Sequence, residues 1–214
     1  MKKMHLAICV AGILAIAPQV TATEQDKVNQ AANVVERFRA LPEKGIPRRV
    51  LRDAKGVAIL TVVKGGFIWS GRAGEGVVVA RTKNGWSGPS FMTTGGAGFG
   101  AQVGGNVTEF VIVLNTWDAV KAFSRGGNVE LSGALSAVAG PLGRTAETGV
   151  LPKAAVYTYS RSQGLFIGAS LEGTVLVTNQ NANERYYQRP VSTQAILTAQ
   201  VTPPRGAARL RNVL

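Results

Sequence analysis

Regular patterning begins at residue 24. Val28, Ala31, Val35 and Phe38 recur at helical spacing among charged and amide residues, which predicts an amphipathic helix over 24–41. Thr23 followed three residues later by Asp26 has the form of a capping box, so the helix should start there. The stretch LPEKGIP breaks the pattern. Pro47 can open a second, short helix, PRRVLRDAK, with Val50, Leu51 and Ala54 apolar and Gly56 at its expected stop.

From residue 57 the pattern changes. VAILTVV (57–63) is a continuous β-branched run, and FIWSG (67–71) and GVVVART (76–82) follow between glycines. Asn84-Gly85 in KNGW is a tight-turn signal. WSGPSFMTT, GAGFGAQVG and VTEFVIVLN continue the strand series. TWDAVKAFSRGG (116–127) returns to helical spacing through Trp117, Val120, Ala122 and Phe123, and stops at Gly126-Gly127. NVELSGALSAVAG, a polar PLGRTAETGVLP loop, KAAVYTYSR, GLFIGASLEG and TVLVTNQ come next, then short helices over 181–199. PPRGAARLRNVL (203–214) reads as a basic tail, mobile at its end. Many short strands with few helices between them predict an α+β fold. Its main body is an antiparallel sheet curled into a barrel or sandwich, with helices at the start, the middle and the end.

The opening residues change what chemistry is on offer. Lys2 and Lys3 precede an apolar run, LAICVAGILAIA (6–17), too short to span a bilayer, where about 20 residues are needed. Val20 and Ala22 then sit at −3 and −1 of a cut after Ala22. This is the layout of a secretory signal peptide over 1–22, and it predicts a periplasmic protein, associated with the inner or outer membrane surface. A retained anchor is the rival reading. Lipidation at Cys9 is disfavoured by the bulky Ile8 before it. Cleavage of the first 22 of 214 residues leaves 192 and removes His5 and Cys9, the sole histidine and cysteine. A Ser-His-Asp triad, a Cys-His pair and the usual zinc sites are then excluded.

Net charge is +12, or +10 once Lys2 and Lys3 are gone. A basic surface attracts anions, and export favours lipid headgroups or envelope polymers over nucleic acid. The cations concentrate: Arg37, Arg39, Lys44, Arg48, Arg49, Arg52 and Lys55 are opposed only by Glu43 and Asp53. Arg48, Arg52 and Lys55 stand at i, i+4 and i+7, one face of a helix that could lie at a membrane interface or simply be solvated. Trp86, just after the turn, is the candidate for an exposed aromatic that inserts among headgroups. Trp69, Phe91 and Phe99 read as core residues.

Two motifs suggest other chemistry. GAGFGA (96–101) matches a dinucleotide fingerprint, but QVGGNVTEFVIVLN after it offers no helix, so no nucleotide is expected. Read as a strand, its even positions are nearly all glycine: Gly96, Gly98, Gly100 and Gly104, with Gln102 among them. That predicts a sharp sheet bend or a close backbone approach. Glu109 and Glu172 could form the carboxylate pair of an envelope hydrolase. The competing expectation is that they pair with Arg72, Arg81 or backbone amides. A protein–protein scaffold is a third class of function.

IPRRVLRDAKGVAILTVVKGGFIWSGRAGEGVVVAR resembles the opening of the SYLF domain. GPSFMTTGGAGFGAQVGGNVTEFVIVLN, AGPLGR and YTYSRSQGLFIGASLEG resemble its later blocks, in order. The organisation implied is a signal peptide (1–22), an N-terminal amphipathic helix (23–40), a SYLF-like domain (41–199) and a basic tail (200–214). The resemblance implies a non-enzymatic, lipid-binding protein without a cofactor or metal. Carried over by position, its headgroup site falls on Arg48, Arg49, Arg52, Lys55 and Lys64. The expected partner is an anionic phospholipid or lipopolysaccharide, met by peripheral membrane association. Some fungal members bind actin and carry an SH3 domain; the leader and the missing SH3 segment lead to the expectation that actin is not a partner here.

Overall fold

The computed structural model describes residues 23–41, 45–130, 137–140, 154–163 and 175–214. The signal segment, the PLGRTAETGVLP loop, GLFIGASLEG and Glu172 lie outside the described residues. Helix α1 (Glu24–Arg39) starts at the expected capping box, where Thr23 Oγ1 accepts from Asp26 N at 3.2 Å and Thr23 N donates to Asp26 Oδ2 at 3.0 Å. Its apolar stripe, including Val28, Ala31, Val35 and Phe38, is fully buried. Helix α2 (Arg48–Asp53) opens after Pro47 and buries Val50 and Leu51. It ends before Gly56: Ala54 is already extended, and Gly56 begins a strand.

The glycine-separated runs are not separate strands. They join into β1 (Gly56–Thr82) and β3 (Ser90–Leu114), which pair antiparallel from Gly56↔Leu114 to Val78↔Ser90 with one irregularity between Phe67 and Trp69. Glycine faces glycine across this ladder at Gly65↔Gly105 and Gly66↔Gly104, so the weak positions of one strand meet those of the other. A straight strand of 27 residues would run roughly 90 Å, far longer than the domain. The ribbon therefore folds back on itself. Arg81 N donates to Lys55 O at 2.8 Å, and a Cβ on Gly76 would stand 2.0 Å from Ile59 O, so only glycine allows that approach. GAGFGA lies wholly inside β3 and opens no helix, which gives the glycines the architectural role expected of them.

The remaining strands are β2 (Gly85–Trp86), β4 (Asn128–Glu130), β5 (Ala137–Ala139), β6 (Val156–Gln163) and β7 (Val175–Thr178). Among the described residues they complete a seven-stranded sheet of order β2-β1-β3-β6-β5, with β7 joining β3 and β4 joining β7. All pairings are antiparallel except β5 with β6. Among the described residues the sheet is curled but open, ending at β2 and β5, so the fold is α+β and, of the barrel or sandwich expected, the curled sandwich fits.

Both faces of the sheet are buried, which is why its strands read as unbroken apolar runs and not as alternating ones. Even residues of β1 and β3, among them Leu60, Val78, Phe110 and Ile112, pack beneath α3 (Trp117–Ser124) and α5 (Thr193–Leu197). Odd residues, among them Ile59, Val77, Phe91, Val111 and Val113, pack beneath α1, α2 and α6 (Ala208–Val213). Helix α4 (Gln180–Tyr187) is pinned to β3 by buried Asn183, whose Oδ1 accepts from Phe91 N at 2.7 Å. The segment read as a mobile basic tail is part of this body: Ala207 and Leu210 are fully buried against the odd face.

Candidate functional site

Helix α2 sits on the odd face at the end of the sheet where β1 begins. Burial of Val50 and Leu51 turns Arg48, Arg49, Arg52 and Asp53 outward. Asp53 is shared by two cations, Arg52 Nε at 3.1 Å and Arg49 Nε at 3.7 Å, all well exposed. Among the described residues Arg48 makes no ion pair. Lys55 is half-buried and lies beyond the helix end, where its backbone joins two elements: Lys55 N donates to Leu114 O and its carbonyl accepts from Arg81, both at 2.8 Å.

Three arginines that sequence reasoning did not assign to this site hold it together. The Arg81 guanidinium donates to Leu51 O at 2.9 Å and Arg52 O at 3.3 Å, satisfying the last carbonyls of α2 with a cation where the helix dipole favours one. The same guanidinium lies 3.8 Å from the centroid of the Trp86 ring. Burial lowers its pKa, yet an arginine remains cationic at neutral pH. Arg211 on α6 donates to Trp86 O at 2.7 Å, and Arg39 at the end of α1 donates to Val213 O at 2.6 Å. The series α1–α6–β2 and the joint β1–α2 are thus fastened by arginine-to-carbonyl bonds, with the Arg81–Trp86 stack between them, and these bonds leave the positive charge uncancelled. Arg81 was legible only as a charged residue at the end of GVVVART; no local signal ties it to α2.

Two expected site residues fall elsewhere. Trp86 is 4 % exposed and belongs to the odd-face core, so it is not a membrane-inserting side chain. Its register explains this: Trp86 pairs with Arg81 on β1, turned toward the face that holds Val77 and Val79. Among the described side chains the exposed indole is Trp117, half-exposed at the first turn of α3. Lys64 stands opposite Asn106, nine residues up β1 from Lys55, roughly 30 Å along the strand, so it does not join the α2 group.

Glu109 is 4 % exposed, and both its oxygens are taken by Arg37, through a short Nη2 contact and through Nε at 3.2 Å. The partner is Arg37 of α1 and not Arg72 or Arg81. A buried carboxylate held in this way by a guanidinium is accounted for as a structural ion pair. Among the described residues no three His, Cys, Asp or Glu side chains gather as a metal site.

The comparisons agree with this fold-wide pattern. Residues 95–214, more than half of the chain, match the family described as Ysc84, Las17-binding protein actin regulator. An SH3 domain-containing protein of Schizosaccharomyces pombe is 48 % identical over 174 residues, 79 % of this chain and 40 % of that protein. LAS seventeen-binding protein 3 of Saccharomyces cerevisiae is 47 % identical over 79 % of this chain and 38 % of its own length. The human SH3 domain-containing YSC84-like protein 1 is 40 % identical over 89 % of this chain and 58 % of its own length. The chain therefore spans between about two fifths and three fifths of these relatives. Their names and the family description point to actin-related partners and overturn the expectation that actin is not a partner. The chain is a member of the Ysc84 family of Las17-binding protein actin regulators.

Proposed function

We propose that this chain is an exported, non-enzymatic domain that docks on anionic lipid through the α2 end of its sheet. The observation that carries the reading is the outward face of α2, where Arg49 and Arg52 share one acid, Asp53, and Arg48 has no ion pair among the described residues, above a neutral, buried underside. Each cation near an anionic membrane contributes roughly 1 kcal/mol, enough in sum for reversible docking and not for permanent anchoring. No described helix is long and apolar enough to cross a membrane.

Flotation with phosphatidylglycerol-containing vesicles tests this. Replacing Arg48 and Arg52 together by glutamine should remove roughly 2 kcal/mol, about thirtyfold in partitioning, with unchanged circular dichroism. Raising salt should do the same to the native chain. Equal recovery on neutral and anionic vesicles, insensitive to salt, would refute the proposal. Cell fractionation of the full chain tests export.

A second reading, favoured by the family description, is that the same cations meet an acidic protein surface such as an actin filament. Co-sedimentation with filaments in the absence of lipid, lost in the Arg48→Gln, Arg52→Gln variant, would select it.

A further inference from the structure

The α2 surface offers charge but no apolar group, because Val50, Leu51 and Ala54 are all buried. The nearest exposed aromatic residue comes from a different element on the opposite face of the sheet. Lys55 N donates to Leu114 O at 2.8 Å, which fixes the start of β1 beside the end of β3. Trp117 follows Leu114 by three residues, so its backbone lies within about 11 Å of that strand end, as Arg52 does of Lys55 on the other side. Val120 of the same helix would touch a Cβ on Gly56 at 3.0 Å, which holds α3 firmly at this end.

Trp117 is 50 % exposed, although its helix buries Ala119, Val120 and Phe123 beneath it. Helical spacing alone would put it with the core. The adjacent charges do not oppose an anionic surface: Asp118, which is 90 % exposed, is matched by Lys121 at 3.3 Å. Among the described residues the other exposed large apolar side chains are valines: Val63 and Val107, a cross-strand pair toward the glycine ribbon with Lys64 as the neighbouring cation, and Val175 and Val177 on β7. Among the described side chains, charge and an exposed indole coincide at the α2–α3 end.

We infer that Trp117 is the apolar anchor of the docking surface, its ring entering the headgroup layer of an anionic bilayer while α2 supplies the attraction. Indoles suit that layer because they combine a large apolar face with one N–H donor. The inference rests on the lipid reading above and assigns it a specific inserting residue, with α2 and α3 straddling the sheet end as two feet of one contact.

The test uses the native chain, Trp117→Phe and Trp117→Ala with vesicles of phosphatidylglycerol and phosphatidylcholine, with and without brominated acyl chains. Brominated lipid should quench the native emission, and Trp117→Phe should lose that quenching while still floating. Trp117→Ala should float roughly tenfold more weakly, the order expected when about a quarter of an indole's surface leaves water. If the native chain floats but is not quenched, or if quenching persists in Trp117→Phe through Trp69 or Trp86, the inference is overturned and the lipid reading stands. A native chain that does not float on anionic vesicles overturns both. A concentration-dependent shift of Trp117 emission without vesicles would identify the ring as a self-association contact and overturn the anchor role.

Discussion

Replacing Gly76 by alanine tests the folded-back ribbon directly. A Cβ there would stand 2.0 Å from Ile59 O, 2.9 Å from Ile59 C and 2.9 Å from Leu60 Cα. All three are backbone atoms in the middle of the core, where Ile59 and Leu60 are 1 % and 0 % exposed, so no flexible side-chain end can yield. The two halves of β1 would have to separate by more than 1 Å to restore ordinary contact. Overpacking of this kind costs about 1–3 kcal/mol, and a rigid backbone neighbour puts this site at about 3. In a domain of this size that lowers Tm by roughly 6–12 °C. Gly65→Ala is the internal control: it lies in the same strand, faces Gly105, and its Cβ would meet nothing within 4 Å. That change should be neutral or stabilise by up to about 1 kcal/mol. Urea unfolding and thermal denaturation of the two variants decide the matter. If Gly76→Ala matches Gly65→Ala within about 0.5 kcal/mol, the two halves of β1 do not touch as described and the fold-back is wrong.

Arg37→Leu should destabilise the domain by about 3 kcal/mol in urea titrations, because it leaves the Glu109 carboxylate buried without its cation; Arg37→Leu with Glu109→Leu should recover most of that loss. Equal stability of the single and double variants would deny the pair its role. Arg81→Met should cost about 2 kcal/mol through lost carbonyl bonds and the lost stack on Trp86, and hydrogen exchange should report the loosening first at the amides of Val50 and Leu51. Hydrogen bonds from the Thr23 hydroxyl and backbone N–H hold the Asp26 carboxyl below its ordinary value of 3.8. A carboxyl depressed on folding contributes stability that is present above its unfolded pKa and lost as pH falls through the folded one. The stability gap between the native chain and Thr23→Ala should therefore narrow below about pH 4, and a gap constant from pH 6 to pH 2 would refute the linkage.

Most of the fold was legible wherever it depends on neighbours in sequence. The capping box at Thr23, the stripe Val28–Ala31–Val35–Phe38, Pro47 at the start of α2 and the glycine stop after α3 all rest on contacts within four residues. The continuity of β1 and β3 was not legible. Glycine runs signal loops unless a partner strand brings its own glycines opposite, and that pairing links residues 40 apart, as at Gly65↔Gly105. The same distance separation hid the partner of Glu109, since Arg37 lies 72 residues away on a helix whose placement follows from the whole odd-face core. The choice between the two expected forms, barrel or sandwich, was open for a related reason: strand count and glycine content set curvature, whereas closure needs an edge-to-edge pairing that sequence does not encode locally.

The site divides along the same line. A run of cations is a property of composition, so Arg48, Arg49 and Arg52 could be named without a structure, and all three face outward. Exposure of an apolar ring is a property of the assembled fold. Trp86 looked exposed because a turn precedes it, yet strand parity carries it into the core beneath Arg81; Trp117 shares the helical spacing of Val120 and Phe123, yet it sits at the first position of α3 and is half-exposed. A peripheral membrane surface needs both properties at one place. Electrostatic attraction reaches about one Debye length and gathers the protein near the bilayer, but it gives no preferred depth. Depth comes from an apolar group fixed relative to the charges. In the lipid contact proposed above, the Lys55–Leu114 and Arg81–Lys55 backbone bonds would supply that fixed relation, so loosening them should weaken insertion before it weakens attraction.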